Sequence, residues 1–135
     1  MQHRKMMKMI PLLALLAVPL AHADTVDDLL KGYQAQGAGP FSAEKGKAMW
    51  SEQHASTEGG AARSCAACHG ENLTSTGKHA KTGKAIEPMA PSANPQRFTD
   101  AAKVEKWFKR NCTWTVGREC TPQEKGDFLS YLRKQ

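Results

Sequence analysis

The sequence has 135 residues, of which 40% are hydrophobic and 24% are charged, and its formal net charge is +6. The first 23 residues hold three of the 19 Lys and Arg and none of the 13 acidic residues, so the remaining 112 carry a net charge of +3. This surplus is too small to predict nucleic-acid binding, although it allows weak attraction to an acidic partner. A chain of 112 residues is long enough for one small domain with a single core.

The N-terminus has the pattern of a secretory signal peptide that is cleaved after Ala23. Three basic residues come first, then the apolar run Ile10–Leu20, and then the small-residue signature Ala21-His22-Ala23. About eleven apolar residues interrupted by two prolines are too few for a membrane span of roughly twenty. We therefore expect a periplasmic protein without stable membrane insertion, divided into the signal peptide 1–23 and one domain, 24–135. All four cysteines fall in that domain, in an oxidising compartment that favours bonded thiols.

Helical periodicity predicts the first two helices of this domain. Over residues 25–36, apolar side chains recur at helical spacing, at Val26, Leu29, Leu30 and Tyr33. After a break rich in glycine, Ser42 can cap a second helix. Gly46 and Trp50 share one face of that helix, and a glycine there would let another helix approach closely, at some cost in helix propensity.

The next feature is the motif C-x-x-C-H, formed by Cys65, Cys68 and His69. It is the attachment signature of c-type haem, in which two thioethers hold the vinyl groups and the histidine binds the iron from the proximal side. A thioredoxin-like site would need a βαβ context, and a zinc site would need a fourth ligand. A plain disulfide between the two cysteines would leave the histidine without a role. The motif therefore predicts one covalently attached haem.

The segment 72–96 is rich in Gly, Pro, Ser, Thr and Lys, which indicates an irregular loop. So long a loop is uncommon in a compact domain unless it wraps a ligand, and here it points to a cofactor. A third helix begins at Thr99 or Asp100 and has an expected buried stripe of Val104, Trp107 and Phe108. A fourth begins at Thr121 with a capping box and a proline at its first position. No alternating strand pattern is convincing, so we expect an all-α fold of four or so helices with long loops.

From the second helix onward, this order of elements resembles class I cytochrome c. The resemblance implies a haem buried between the first helix of that fold, the last helix and the long loop. In electron-carrying members the distal ligand is a methionine of the loop, and the corresponding residue here is Met89, twenty residues after His69. Met49 is expected to lie in the core instead. A bis-histidine haem would use one of two residues that are more often simply solvated, His54 and His79.

Two stretches give a closer resemblance, to the monohaem family known as sphaeroides haem protein, or SHP. They are KTGKAIEPMAPSANPQRFTD and KWFKRNCTWTVGRECTPQEKGDFLSYL, and the likeness is strongest from Cys65 to the C-terminus. The resemblance implies that Asn111 is the distal ligand of the oxidised haem and that Cys112 and Cys120 form a disulfide. It also implies binding of oxygen and nitric oxide at the reduced iron. The implied redox partners are a dihaem cytochrome c and a membrane cytochrome b.

Whether Asn111 or Met89 is the distal ligand distinguishes two functions. From the residues alone, its role is to close the third helix, where asparagine often replaces glycine in the left-handed conformation. As a ligand, its amide oxygen is a hard donor that suits ferric iron better than ferrous iron, so reduction would free a site for a diatomic gas. A thioether from Met89 has the opposite preference and favours plain electron transfer. We therefore expect an electron-transferring, gas-binding protein, with an ordinary His/Met carrier and an enzyme that consumes nitric oxide or oxygen as the alternatives.

A basic run in the loop is a candidate surface for an acidic redox partner. It consists of Lys78, Lys81 and Lys84. Solvated loop lysines are the alternative interpretation.

Overall fold

The computed structural model describes residues 24–56 and 58–135, and the expected signal peptide lies outside them. Within these residues the fold is all-α with long connections, as predicted. It also contains a short two-stranded hairpin that was not predicted. The elements in chain order are α1 (Thr25–Ala35), α2 (Ala43–Ser51), α3 (Ala66–His69), β1 (Gly77–Lys78), β2 (Ala85–Ile86), α4 (Ala101–Val116) and α5 (Pro122–Leu132). In the described part of the chain, no helix is both long enough and apolar enough to cross a membrane.

The four longer helices begin where the capping residues of the sequence place them. The side chains of four residues accept hydrogen bonds from backbone N–H groups of the first turn, and these residues are Asp24, Ser42, Asp100 and Thr121. At α5 the capping box is complete, because Glu124 also accepts from the backbone N–H of Thr121 at 2.8 Å. A cap of this kind stabilises a helix by about 1 kcal/mol. Ser42, Asp100 and Thr121 were predicted to be helix starts, and these predictions are confirmed.

Helices α2 and α5 cross in close contact at Gly46. A Cβ atom at this position would overlap the backbone carbonyl of Asp127 and the Cβ of Tyr131. The prediction that Gly46 admits a neighbouring helix is therefore confirmed. Trp50, four residues further along α2, is 4% exposed and packs edge-on to Tyr131, with 6.4 Å between the ring centroids.

Helix α1 is attached to α4 and α5 by a second apolar cluster. This cluster contains Val26, Tyr33, Val104 and Leu129. Beside it, the Tyr33 hydroxyl donates to Glu105 at 2.5 Å, and the Lys125 ammonium lies 2.6 Å from the other oxygen of the same carboxylate. Burial and this carboxylate raise the pKa of Tyr33 well above its usual range, so the hydroxyl keeps its proton. Three helices are thus joined around one polar contact.

The segment between α3 and α4 is mostly irregular, as predicted, but it contains the short antiparallel hairpin of β1 and β2. Gly77 pairs with Ile86 and Lys78 with Ala85. Two residues per strand are too few to show alternation, which explains why the sequence pattern did not reveal it. Gly77 also allows β1 to reach the haem motif, because a Cβ there would overlap the carbonyl of Cys68.

Candidate haem site

A cavity of about 620 Å³ lies between α3, the middle segment and α4. This volume is in the range of small-molecule and cofactor sites, roughly 300–1,000 Å³. The residues that line it include all the candidates for haem attachment and iron ligation that the sequence favoured, namely Cys65, Cys68, His69, Met89 and Asn111. The tertiary structure therefore brings together residues that are up to 46 positions apart.

The C-x-x-C-H motif forms a single helical turn. Ser64 is 1% exposed, and its hydroxyl accepts from the backbone N–H of Ala67 at 3.1 Å, which starts the turn. The turn ends at Gly70, whose φ of 76° favours glycine. Cys65 and Cys68 form no disulfide with each other, and burial raises the pKa of the Cys65 thiol to about 11. Both cysteines and the histidine thus share one short element on the cavity wall.

His69 is held at the cavity wall by Trp50. The two ring centroids are 5.4 Å apart, and the Trp50 indole N–H donates to the Gly70 carbonyl at 3.0 Å. Burial first, and the nearby charge of Arg97 second, lower the pKa of His69 to about 4, so the ring is neutral. Its Nδ1 atom is buried and has no hydrogen-bond partner. A neutral imidazole beside two thiols is the donor set of a c-type haem, and these residues fit that cofactor.

Asn111 lies on α4 and lines the same cavity. The helix continues for five residues beyond it to Val116 and ends at Gly117, which has the left-handed φ of 83°. The alternative interpretation of Asn111 as the residue that closes this helix is therefore wrong. Gly117 takes that role because a residue without a Cβ adopts positive φ at no steric cost.

Trp107 was expected in the buried stripe of the third helix, but it is 43% exposed and lines the cavity. It stands four residues before Asn111, so both side chains lie on the same face of α4. Val104 is buried and Phe108 is half-buried against the core, as expected. The stripe is therefore split, and Trp107 belongs to the cavity wall instead of the helix interface.

Met89 reaches the same cavity from the middle segment. Its side chain is half-buried and packs against the core cluster that contains Trp50 and Leu73. The backbone before it is held by Arg97, whose guanidinium donates to the carbonyl of Pro88 at 2.7 Å and to that of the preceding residue at 2.5 Å. Both distal-ligand candidates thus line one cavity, Met89 on an anchored loop and Asn111 on a helix.

The remaining candidates are two histidines and Met49, and of these His79 also lines the cavity. The Nδ1 atom of His79 accepts from the backbone N–H groups of Lys81 and Thr82, each at 3.2 Å, so this ring organises the hairpin turn. His54 pairs through its backbone with Arg63 and is not among the residues that line the cavity. Met49 packs against the core cluster, as expected.

Cys112 and Cys120 are joined by a disulfide, with 5.6 Å between their Cα atoms. It connects the last turns of α4 to the residue before the cap of α5. Both cysteines are 6% exposed and line the cavity, so the bond is part of the wall next to Asn111. Because these two sulfurs are bonded to each other, they cannot complete a zinc site with Cys65 and Cys68.

Sequence reasoning missed Arg63 and Arg97, two arginines that hold backbone carbonyls around the cavity. Arg97 binds carbonyls nine and ten positions away, and Arg63 binds a carbonyl 51 positions away. No local pattern marks an arginine for such a contact, because the partner is a backbone group of another segment.

Comparisons with known proteins agree with this site. Residues 36–132 match a domain family described as a domain of unknown function, DUF1924. The cytochrome c-type protein SHP of Cereibacter sphaeroides is 45% identical over 134 residues, which cover 96% of this chain and all of SHP. The chain belongs to the SHP family of c-type cytochromes. Membership implies haem as the cofactor, and the resemblance noted in the sequence is confirmed.

Related proteins share the fold of this SHP-family chain. A structure of oxidised SHP, described as an oxygen-binding cytochrome c, superposes with a TM-score of 0.73 at 44% identity and covers 82% of this chain and 96% of that one. Cytochrome c'' of Methylophilus methylotrophus is 45% identical over 76 residues, 56% of this chain and 53% of its own. Its oxidised crystal structure gives a TM-score of 0.72 at 35% identity over 82% of this chain and 94% of that one.

Proposed function

We propose that this protein is a periplasmic monohaem cytochrome c that binds oxygen and other diatomic gases in its reduced state and exchanges electrons with redox partners. The observation that carries the proposal is that Asn111, on α4, lines the same cavity as the C-x-x-C-H turn. An ordinary electron carrier needs only a permanent distal ligand. A hard ligand that leaves on reduction allows gas binding as well.

In this proposal Cys65 and Cys68 would hold the haem by thioether bonds, and His69 would bind its iron. The haem would supply an iron that changes oxidation state and accepts a distal ligand. The protein supplies the rest. Burial keeps the His69 ring neutral, and Trp50 fixes its orientation through ring contact and the bond to Gly70. The apolar side chains of Trp107 and Phe108 line the space that the cofactor would occupy.

Asn111 is assigned as the distal ligand of the oxidised state. A neutral amide oxygen is a hard donor, so its affinity for the softer ferrous ion is poor. On reduction the side chain would leave, and a diatomic gas could take its place. Once released, the same amide could donate an N–H hydrogen bond to a gas molecule in the cavity.

Two relatives support ligand release. SHP is described as oxygen-binding, and a solution structure of cytochrome c'' is described in terms of haem-ligand detachment, with a TM-score of 0.70 to this chain at 35% identity. The match covers the whole length of SHP, so oxygen binding is described for a relative that aligns with this chain from end to end.

The second candidate function is that of a plain electron carrier with Met89 as the permanent ligand. Its support is the half-buried position of Met89 in the cavity and the anchoring of its loop by Arg97. An enzyme that turns over nitric oxide or oxygen is the third possibility, and multiple turnovers with a reductant would favour it over reversible binding.

The proposed partners are those implied by the family, a dihaem cytochrome c and a membrane cytochrome b. The lysines of the hairpin region are exposed, which suits docking to an acidic surface; they are Lys78, Lys81 and Lys84. Lys81 is also 3.3 Å from Glu58, so part of its charge is balanced within the protein. The proposed periplasmic location rests on the signal-peptide pattern of the sequence.

The deciding experiment compares Asn111→Ala with Met89→Leu in the holoprotein by optical and magnetic spectroscopy of both oxidation states. We expect the wild type to lack the absorption of sulfur on ferric iron and to become high-spin and five-coordinate on reduction. Asn111→Ala should leave the ferric iron open or bound to water, and Met89→Leu should change little. If Met89→Leu opens the site and Asn111→Ala has a wild-type spectrum, the protein is a His/Met electron carrier.

A further inference from the structure

Arg63 is a buried cation next to the haem motif. It stands two residues before Cys65, and only 8% of it is exposed. Removing a guanidinium from water is unfavourable unless its N–H groups are satisfied, so buried arginines have specific partners. The partners of Arg63 show which parts of the molecule it connects.

One partner is the last turn of α4. The Nη1 atom of Arg63 donates to the backbone carbonyl of Trp114 at 2.9 Å, and the guanidinium carbon lies 4.4 Å from the centroid of the Trp114 ring. The last four carbonyls of a helix have no partner within the helix, and a cation is favourable at this end of the helix dipole. Arg63 therefore satisfies the end of α4 and covers its terminal aromatic ring.

The other partner is Glu58. The Nη2 atom of Arg63 donates to this carboxylate at 2.8 Å, and Lys81 of the hairpin turn lies 3.3 Å from the same oxygen. The backbone of Arg63 is itself fixed by two hydrogen bonds with His54, both 2.8 Å long. The base of the side chain is thus held firmly, and its head connects the end of α4 to the loop before the haem motif.

This connection reaches the cavity. Trp114 and Asn111 are three residues apart on α4 and both line the cavity, as does Cys65 of the haem motif. Residues at this spacing lie on the same face of a helix, so a displacement of the terminal turn at Trp114 also displaces Asn111. A shift of about 1 Å is enough to loosen a ligand that must meet a metal at a fixed distance.

We propose that Arg63 is a positioning residue that holds the last turn of α4, and with it the Asn111 side chain, in place against the segment that carries the haem motif. The inference rests on the proposed function, in which Asn111 is the distal ligand of the oxidised state. Arginine suits the role because its planar fork donates in two directions while its face covers an aromatic ring, whereas the compact ammonium of lysine cannot do both.

The test uses ferric holoprotein with azide as the probe of distal-ligand release, together with hydrogen exchange at the amides of residues 113–116. Because Asn111 must leave before azide binds, Arg63→Gln should raise the azide association rate about tenfold, which corresponds to one lost charged hydrogen bond. The exchange rates of these amides should rise by a similar factor. Arg63→Lys should give intermediate values for both, and it carries the test if Arg63→Gln does not fold.

The matched control is Arg118→Gln. Arg118 also donates to a glutamate near the disulfide, but its side chain is 53% exposed and its partner is Glu124 on α5. We expect this variant to keep both rates within about twofold of the wild type, as is usual for an exposed ion pair. Wild-type azide and exchange rates in Arg63→Gln would overturn the proposal.

The Asn111→Ala variant distinguishes a failure of the proposed function, in which Asn111 is the distal ligand, from a failure of the positioning role of Arg63. If Arg63 acts through Asn111, adding Arg63→Gln to this background should leave the azide rate unchanged while still raising amide exchange. A full effect of Arg63→Gln on azide binding without Asn111 would overturn the link between the two residues. If Asn111→Ala alone has no effect on azide binding, the proposed function fails, and the exchange of residues 113–116 still decides whether Arg63 holds the end of α4.

Discussion

The helices α1, α2 and α5 differ from the walls of the cavity in how they are stabilised. The three helices begin at capped residues and pack through buried apolar side chains, and Leu129 of α5 is fully buried in the cluster that it shares with α1 and α4. The walls around the C-x-x-C-H turn are formed by a long irregular segment and one face of α4, on which Trp107 is 43% exposed. Helix packing thus stabilises the first region by itself. The second region is anchored to the core at a few residues, such as Leu73 and Ala90, and we expect the cofactor to supply the remaining contacts across the cavity.

The largest effect is expected when the attachment of the cofactor is removed. In the Cys65→Ser/Cys68→Ser variant, the cavity-facing part of the middle segment 72–96 loses the expected cofactor contacts, so the hydrogen-exchange protection of its amides should fall by about a thousandfold, or about 4 kcal/mol. The amides of α2 and α5 should lose less protection.

Mass spectrometry of the exported wild type should show one haem that survives acid extraction. An unmodified wild-type mass, with native helicity, would contradict covalent attachment.

A change at the α2–α5 crossing should destabilise the helical region instead. Gly46→Ala places a Cβ against the Asp127 carbonyl, and the forced separation of the helices should cost about 3 kcal/mol of unfolding free energy. The matched control is Gly32→Ala on α1, where a Cβ would meet nothing within 4 Å. That variant should gain roughly 0.5–1 kcal/mol from helix propensity. Denaturant unfolding measures both, and equal stabilities would show that the crossing is not closely packed.

The disulfide connects the two regions, and its removal should have an intermediate effect. The loop from Cys112 to Cys120 spans nine residues, so the chain-entropy relation gives about 2.5 kcal/mol of stabilisation. Reducing the bond while the iron stays ferric also tests a functional role. A ferric spectrum that changes after proven cleavage indicates that the bond helps to hold Asn111. An unchanged spectrum indicates a purely structural bond.

The smallest effect is expected at the cap of α5 and depends on pH. Hydrogen bonding to Arg118 outweighs partial burial and lowers the pKa of Glu124 to about 2. The ionised Glu124 carboxylate therefore stabilises the fold above the pKa of glutamate in the unfolded chain, about 4.3. This stabilisation is lost as the pH falls through the folded pKa near 2. Glu124→Gln should cost about 1 kcal/mol at pH 7 and less at pH 2. Glu119→Gln, which removes a 60% exposed carboxylate, is the control, and an equal pH dependence in both would contradict this assignment.

Much of the helical region could be predicted from the sequence, since a cap and an apolar stripe involve residues within a few positions of each other. Ser42, Thr121 and Gly46 took their predicted roles for this reason. The cavity wall was harder to predict. Trp107 has the spacing of a buried residue, and only the position of α4 beside the cavity explains its exposure. Asparagine is a residue type that often ends a helix, yet the helix that contains Asn111 continues to Val116.

The sequence by itself determined the helix starts, the residues of the haem motif and membership of the SHP family, because each depends on neighbouring residues or on a pattern that relatives share. Only the tertiary structure decided which side chains meet at the cavity. Met89 and Asn111 line the same cavity, and the buried Arg63 donates a hydrogen bond to a carbonyl 51 positions away. The physical reason is that such contacts join distant segments, whose approach follows from the packing of the whole chain and not from any local preference.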